Sequence, residues 1–183
     1  MAFDSAVAQR RLEEALGSNG CSEPQRMRLT LAAKGVYSVE YQAYSGRVAD
    51  EAAAVAGKPQ IVALAKTPVQ AGDPLLQHKT TDRSAYELAR AEVEQGVEPL
   101  MFNAAGEVTE TDIANIVYRL NDQLYTPPLI SGLLPGTLRG YLLNQGALAE
   151  RVLRIDELAE LQAIFLLNNL RGWRKAKIAA LAD

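Results

Sequence analysis

The 183-residue sequence holds a single cysteine, Cys21, and a single histidine, His78. One cysteine excludes an intramolecular disulfide and fits a reducing, cytoplasmic setting. One histidine with one cysteine argues against a His/Cys zinc site, and no other metal is expected. No apolar run approaches the roughly 20 residues that span a bilayer, so no membrane association is expected. The first residues, Met-Ala-Phe-Asp-Ser, show no basic segment followed by an apolar one, hence no secretory signal. The net charge of −3 is spread without large runs of one sign, which gives no reason to expect nucleic acid or an anionic membrane as partner.

What is present is an ordinary globular composition, 48% apolar and 22% charged. Asp4 or Ser5 can cap a helix over residues 4–17, with Ala8, Leu12 and Leu16 on one face. Met27, Leu29 and Leu31 alternate with polar residues as a strand. Lys34-Gly35 reads as a turn, and Val36 to Tyr44 as the return strand. Residues 49–57 read as a short helix or an alanine-rich loop, and Ile61 to Ala65 as a strand. Two prolines and a glycine then mark an interdomain linker. Three parts are expected: a partial small N-terminal domain over residues 1–66, a linker over 67–78, and a C-terminal domain over 79–183.

In that last part the pattern predicts a helix over residues 82–95 and a strand from Leu100 to Asn103. Ile113 to Leu120 is predicted to pair with Gln123 to Thr126 across Asn121-Asp122 as a tight hairpin. A proline-started helix is predicted from Pro135 to about Ala149. Strands follow at Arg151 to Ile155, Ala163 to Leu167 and Trp173 to Ile178, with a short helix capped by Asp156 between the first two. Hairpins and helices are segregated, which points to an α+β or irregular α/β fold rather than a doubly wound one.

Three features carry chemistry. Lys79 has Arg83 four residues on, a cation that could lower its pKa and make it nucleophilic; by itself Lys79 also reads as a solvated surface lysine. Glu110 could face a pyridinium, or sit on a strand edge or turn. Leu134-Pro135-Gly136-Thr137-Leu138 opens a helix whose first N–H groups, with the Thr137 hydroxyl, suit a phosphate; it also reads as a plain proline-started helix. His78 and Trp173 read as packing residues, and Cys21 as incidental.

Order and spacing tie these features together. Lys79-Thr-Thr-Asp-Arg, Gly106-Glu-Val-Thr-Glu-Thr-Asp-Ile-Ala-Asn, Tyr125-Thr-Pro-Pro-Leu and Gly132-Leu-Leu-Pro-Gly-Thr-Leu-Arg resemble the class IV (fold-type IV) pyridoxal-phosphate enzymes. These include branched-chain and D-amino-acid aminotransferases and 4-amino-4-deoxychorismate lyase. The tail Asn168-Asn-Leu-Arg-Gly-Trp173 and the His78-Lys79-Thr-Thr start are most similar to the lyase branch, and to the lyase-like domain fused to para-aminobenzoate synthase component I. Ser84 stands where the aminotransferases carry a tyrosine.

The resemblance implies a D-amino-acid aminotransferase-like fold with pyridoxal 5'-phosphate as cofactor. Lys79 would be the Schiff-base and proton-shuttling residue. Glu110 would pair with the ring nitrogen and Leu134 would pack on the ring. Thr137 and Leu138 would bind the phosphate, with Asn169 near it. Arg83 belongs to the same cofactor set, and Arg171 could meet a substrate carboxylate or be part of a solvated basic face. Asn115 would pin local backbone. The reaction implied is release of 4-aminobenzoate and pyruvate for folate synthesis, by a homodimer acting on a small molecule, with a para-aminobenzoate synthase component as a possible partner. Two other readings stay open. One is an amino-acid aminotransferase. The other is a non-catalytic domain with an incomplete pocket, because the family's first strands and a phosphate-clamping arginine are not found and the small domain reads as shortened at its N-terminus.

Overall fold

The computed structural model describes residues 4–19, 23–46 and 48–179; Cys21 lies outside them. The chain divides into two compact units, residues 1–46 and 47–183. The break falls after Gly46, not after residue 66 as composition suggested.

In the first unit, helix α1 (Ser5–Asn19) precedes strands β1 (Gln25–Leu31) and β2 (Tyr37–Ala43). Asp4 caps α1, its Oδ1 accepting from Ala6 N–H and Val7 N–H at 2.9 and 3.1 Å. The strands pair antiparallel, Leu29 opposite Val39. Gly35 supplies the positive φ of 79° that the turn needs.

The second unit contains helix α2 (Glu51–Ala56), strand β3 (Gln60–Leu64), helices α3 (Pro74–Gln77) and α4 (Ser84–Ala91), and strands β4 (Glu98–Phe102), β5 (Val108–Thr111), β6 (Asn115–Leu120) and β7 (Gln123–Thr126). Helix α5 (Thr137–Asn144) and strands β8 (Ala149–Glu150), β9 (Ala163–Asn168) and β10 (Gly172–Ile178) complete it. The sheet runs β5-β4-β3-β10-β9-β6-β7-β8, and β5 also pairs with β6. That extra pairing, Glu110 opposite Asn115, joins the ends of a six-stranded ring, from which β7 and β8 extend. Ring closure covers the edge that β5 would present in a flat sheet, and the edge that stays is the short β8.

Alternation along β6 divides the packing. Ile116, Tyr118 and Leu120 join Val62, Leu100, Val108, Leu153 and Leu166 in one cluster, while Val117 joins Phe165, Leu167 and Trp173 under Leu138, Leu142 and Leu143. Each fully buried Leu, Ile or Phe contributes about 1.5–3 kcal/mol. A third cluster, Ala65, Val69, Leu76, Tyr86, Ala89 and Met101, seats α4 on the sheet.

Several expectations are corrected here. Residues 60–64 belong to the large sheet, because β3 pairs with β4 and β10. The proposed linker is folded: Val69 bridges Asn103, Asp73 caps α3, and Leu76 is fully buried. Helix α5 stops at Asn144 because the chain turns over at Gly146, with φ 69°. The strand expected from Arg151 to Ile155 is not formed: Arg154 makes only an isolated bridge to Glu107, and residues 155–160 are a 3-10 helix, with Glu157 accepting from the Arg154 N–H in place of an Asp156 cap. Helix α4 is confined to Ser84–Ala91. The Asn121-Asp122 hairpin forms as expected, both residues having positive φ (49° and 61°). Among the described residues no helix is long and apolar enough to cross a membrane, and no group of three or more His, Cys, Asp or Glu could hold a metal ion.

Candidate active site

The site forms where β5, β6, α4 and the entry to α5 meet. Between β4 and β5, Leu100 faces Thr111 and Phe102 faces Val108, so two steps on one strand oppose three on the other. This bulge reverses the alternation. Val108 keeps its place in the interior cluster, while Glu110 turns outward to α4 and the Leu134 loop. Without the extra residue Val108 and Glu110 would share a face, and the carboxyl would enter the apolar interior.

Glu110 is 3% exposed and held by three donors. Its Oε1 accepts from the Tyr86 hydroxyl at 2.8 Å and from the Leu134 N–H at 2.9 Å. Its Oε2 accepts from Asn115 Nδ2 at 3.0 Å. An ionised carboxyl has about four acceptor positions; the described residues fill three and leave one on Oε2. Burial pushes the Glu110 carboxyl up to about 8, against the pull of the Leu134 amide, the Tyr86 hydroxyl and the charges of Lys79 and Arg83. Without a cationic partner the group therefore keeps its proton through neutrality. A cation at the open position would convert it to the carboxylate.

The α5 entry is fixed by the same residues. Asn115 Nδ2 also donates to the Leu134 carbonyl at 2.9 Å, so one amide ties the loop to the carboxyl. Gly136 permits this approach: a Cβ there would lie 2.1 Å from Asn115 Oδ1. The Gly136 N–H closes a tight turn to the Leu134 carbonyl at 2.8 Å. Helix α5 then begins at Thr137 with no side-chain cap and no acidic residue in its first turn. The Thr137 and Leu138 N–H groups have no intrahelical acceptor, and Thr137 is exposed. That end suits an anion.

Arg139, 3% exposed, anchors α5 from behind: it donates to the Pro127 carbonyl and Thr126 Oγ1 and pairs with Glu150. Upstream of the same loop, Asn103 Nδ2 donates to Glu107 and to the Ser131 carbonyl, and Ser131 Oγ donates to Glu107 at 2.7 Å. These bonds hold the Glu107 carboxyl below the usual range. Gly132, with φ 94°, then lets the loop pass against Ala71.

Lys79 is exposed, between α3 and α4, and its charge acts on Glu110. Arg83 donates to the Asp112 carbonyl and lies over the Tyr86 ring, 4.6 Å from its centroid. Its effect on Glu110 is therefore electrostatic. Arg90 holds Asp112 through two nitrogens at 2.9 and 2.6 Å, which fastens α4 to the β5–β6 turn. Asn169 is exposed in the β9–β10 turn; the working side chain there is Asn168, which accepts from the Leu170 and Arg171 N–H groups and donates to the Ile113 carbonyl. The Arg171 backbone is bound to Asn168 and Ala49, and its guanidinium has no protein partner among the described residues. His78 is exposed and Trp173 is core, as expected of packing residues in the second case only. An open cleft of about 510 Å³ beside α2 and β10 is lined in part by Ala49 and Trp173 and includes none of Lys79, Glu110, Leu134, Thr137 or Arg171.

The structure thus joins Glu110, Leu134, Lys79 and Arg83 electrostatically or by hydrogen bond, and sets the Thr137–Leu138 amides next to them in sequence. Tyr86 was legible only as a buried helix position, and Arg139 and the Asn103–Glu107–Ser131 network were not legible at all.

The donor set fits pyridoxal phosphate: a buried carboxyl with one open acceptor position, an uncapped helix start and a lysine acting on that carboxyl. Comparison with known proteins agrees. The amino-transferase class IV family model matches residues 1–178. A Schizosaccharomyces pombe protein provisionally named aminodeoxychorismate lyase is 34% identical over 106 residues, 54% of this chain and 46% of its own. A provisionally named amino-acid aminotransferase of Mesorhizobium loti has a solved structure 35% identical, with a TM-score of 0.86 over 98% of this chain and 84% of its own. The 4-amino-4-deoxychorismate lyase of Pseudomonas aeruginosa, 22% identical, shares the fold with a TM-score of 0.73 over 96% and 70% of the two chains. The chain spans about half the length of the curated relatives it matches.

Proposed function

Because the chain belongs to the amino-transferase class IV family, we propose that it is a pyridoxal phosphate enzyme of the 4-amino-4-deoxychorismate lyase type, forming 4-aminobenzoate and pyruvate. The observation that carries this reading is the Glu110 carboxyl, buried, held by three donors and left with one open acceptor position. The name of the Schizosaccharomyces pombe relative supports the lyase assignment.

When bound, the cofactor supplies an electron sink for the carbon next to the substrate nitrogen. Glu110 binds the ring nitrogen and keeps it protonated. The side chain of Leu134 covers the ring. The Thr137 and Leu138 N–H groups and the Thr137 hydroxyl hold the phosphate. Lys79 Nζ would hold the cofactor and would move the substrate proton, first as base and then as acid. Arg83 adds positive charge beside Glu110. Asn169 and Arg171 lie on the β9–β10 turn, where Arg171 is free to receive a substrate carboxylate. A small-molecule substrate and a homodimer are part of the proposal, as is docking to a para-aminobenzoate synthase component. Residues 79–183 are proposed as the cofactor-binding part.

The Mesorhizobium loti structure supports a second reading, an amino-acid aminotransferase. Incubation with 4-amino-4-deoxychorismate and, separately, with amino acids plus 2-oxoglutarate separates the two. Pyruvate and 4-aminobenzoate in equal amounts support the lyase. Glutamate formation without pyruvate from the first substrate supports the aminotransferase and overturns the lyase assignment.

A further inference from the structure

Resting on the pyridoxal phosphate reading above, we infer that Tyr86 is a positioning residue, whose hydroxyl holds the Glu110 carboxylate charged and aimed at the cofactor ring nitrogen. The geometry is specific. Tyr86 is 8% exposed in α4, with its ring in the Leu76–Ala89–Met101 cluster and its hydroxyl 2.8 Å from Glu110 Oε1. Oε1 takes a second bond from the Leu134 N–H, so that oxygen is saturated and cannot serve the cofactor. The remaining acceptor position is thereby confined to Oε2. A carboxyl lacking the Tyr86 bond could rotate or share its charge between the two oxygens.

The phenol is built to donate. Burial raises its pKa far above the ordinary value, and the neighbouring Glu110 raises it further. It therefore stays a neutral O–H donor at every pH at which the protein works. The Arg83 guanidinium over its ring withdraws electron density, which strengthens the donor, and the bond to the Asp112 carbonyl keeps that cation in place. The ionisable and charged groups around the pair are Lys79 and Arg83 facing Glu110, and Glu110, Arg83 and Asp73 facing Tyr86. Neither Lys79 nor Arg83 is hydrogen-bonded to the Glu110 carboxyl; Tyr86 and Asn115 are its side-chain donors.

A hydrogen bond to a charged carboxylate favours the charged form. Its removal shifts the proton from the ring nitrogen toward Glu110, by about one to two pH units on the usual energy of such a bond. The test uses pyridoxal phosphate labelled with nitrogen-15 in the ring, bound to the wild-type chain and to Tyr86→Phe, with the ring-nitrogen NMR shift followed from pH 6 to 9. The expected result is a wild-type nitrogen that stays protonated longer, with the transition about one to two units lower in the variant. Tyr125→Phe serves as the control, since the Tyr125 hydroxyl contacts Gln123; its profile is expected to match the wild type. A purely structural role for Tyr86 would weaken binding or stability and leave the nitrogen's profile unmoved, and that outcome overturns the inference while the cofactor reading stands. If the wild-type chain itself binds no cofactor, the reading fails and the inference with it. Should Tyr86→Phe not fold, a fluorinated tyrosine in place of Tyr86 keeps the ring and the bond to Glu110 Oε1 while making the phenol a stronger donor; a small shift in the opposite direction is expected, and an unchanged profile overturns the inference.

Discussion

Gly136→Ala is the substitution whose effect the structure specifies most sharply. The backbone at Gly136 has φ −62° and ψ 138°, which alanine adopts without strain. The cost arises from one contact: the new Cβ would fall 2.1 Å from Asn115 Oδ1. Asn115 cannot swing away freely, because its Nδ2 is bonded to Glu110 Oε2 and to the Leu134 carbonyl. Moving it breaks both bonds; the Leu134 carbonyl keeps the Gly136 N–H, but Glu110 Oε2 and the Asn115 amide lose their partners, at about 1–3 kcal/mol for each group left without one. Alanine is also slightly poorer than glycine at a helix N-cap, and this is offset by the lower entropy of the unfolded chain. The expected loss is about 2–4 kcal/mol in urea unfolding. A double-mutant cycle isolates the cause: in an Asn115→Ala background the clash is gone, and Gly136→Ala should cost less than about 1 kcal/mol. Equal costs in both backgrounds would refute the argument that Gly136 exists to admit Asn115.

Glu110 gives a pH-dependent prediction. In the cofactor-free protein its pKa is raised to about 8 by burial, above the value in the unfolded chain. The folded state therefore holds a proton that the unfolded state has lost, and stability is greatest at low pH and falls as pH rises toward about 8. The slope is at most about 1.4 kcal/mol per pH unit, and chemical denaturation of Glu110→Gln at pH 5 to 8 should show it reduced; an unchanged slope contradicts the assignment. Arg139→Met leaves the Pro127 carbonyl and Thr126 Oγ1 without their donor. Because Glu150 is half-exposed, its share is small, and a loss of about 2 kcal/mol, read as a lower urea midpoint, is expected. A midpoint within error of the wild type would show that Arg139 does not anchor α5.

The sequence allowed the local elements to be read where one residue type decides the backbone. Asn121-Asp122 specified its hairpin, Asp4 its helix start and Pro135-Gly136-Thr137 the approach to α5. It misled where a terminator lay inside the expected helix, as at Gly146. The site was legible in its parts because Lys79, Glu110 and the Pro-Gly-Thr entry stand in family order. It was not legible in its assembly. By itself Glu110 read either as a carboxylate facing a pyridinium or as a turn or edge residue, and the bulge opposite Leu100 and Phe102 makes it a buried carboxyl facing α4. Tyr86 is 24 residues from Glu110, and Asn103 is 28 from Ser131. Such pairings arise from ring closure, which no local pattern encodes. The boundary expected near residue 66 failed for a similar reason. Pro68, Gly72 and Pro74 signalled a linker, yet Val69 and Leu76 supply the apolar contacts that fold this segment onto the large unit.

The central claim is that Lys79 and Glu110 belong to a working pyridoxal phosphate site. The most direct measurement is to mix the purified chain with pyridoxal phosphate, record the visible spectrum, reduce with borohydride and map the modified peptide by mass spectrometry. The account predicts a visible absorption band, a single label on Lys79, and loss of both in Lys79→Ala. Absence of the band, or label scattered over Lys58, Lys66, Lys175 and Lys177 with none enriched at Lys79, would contradict it.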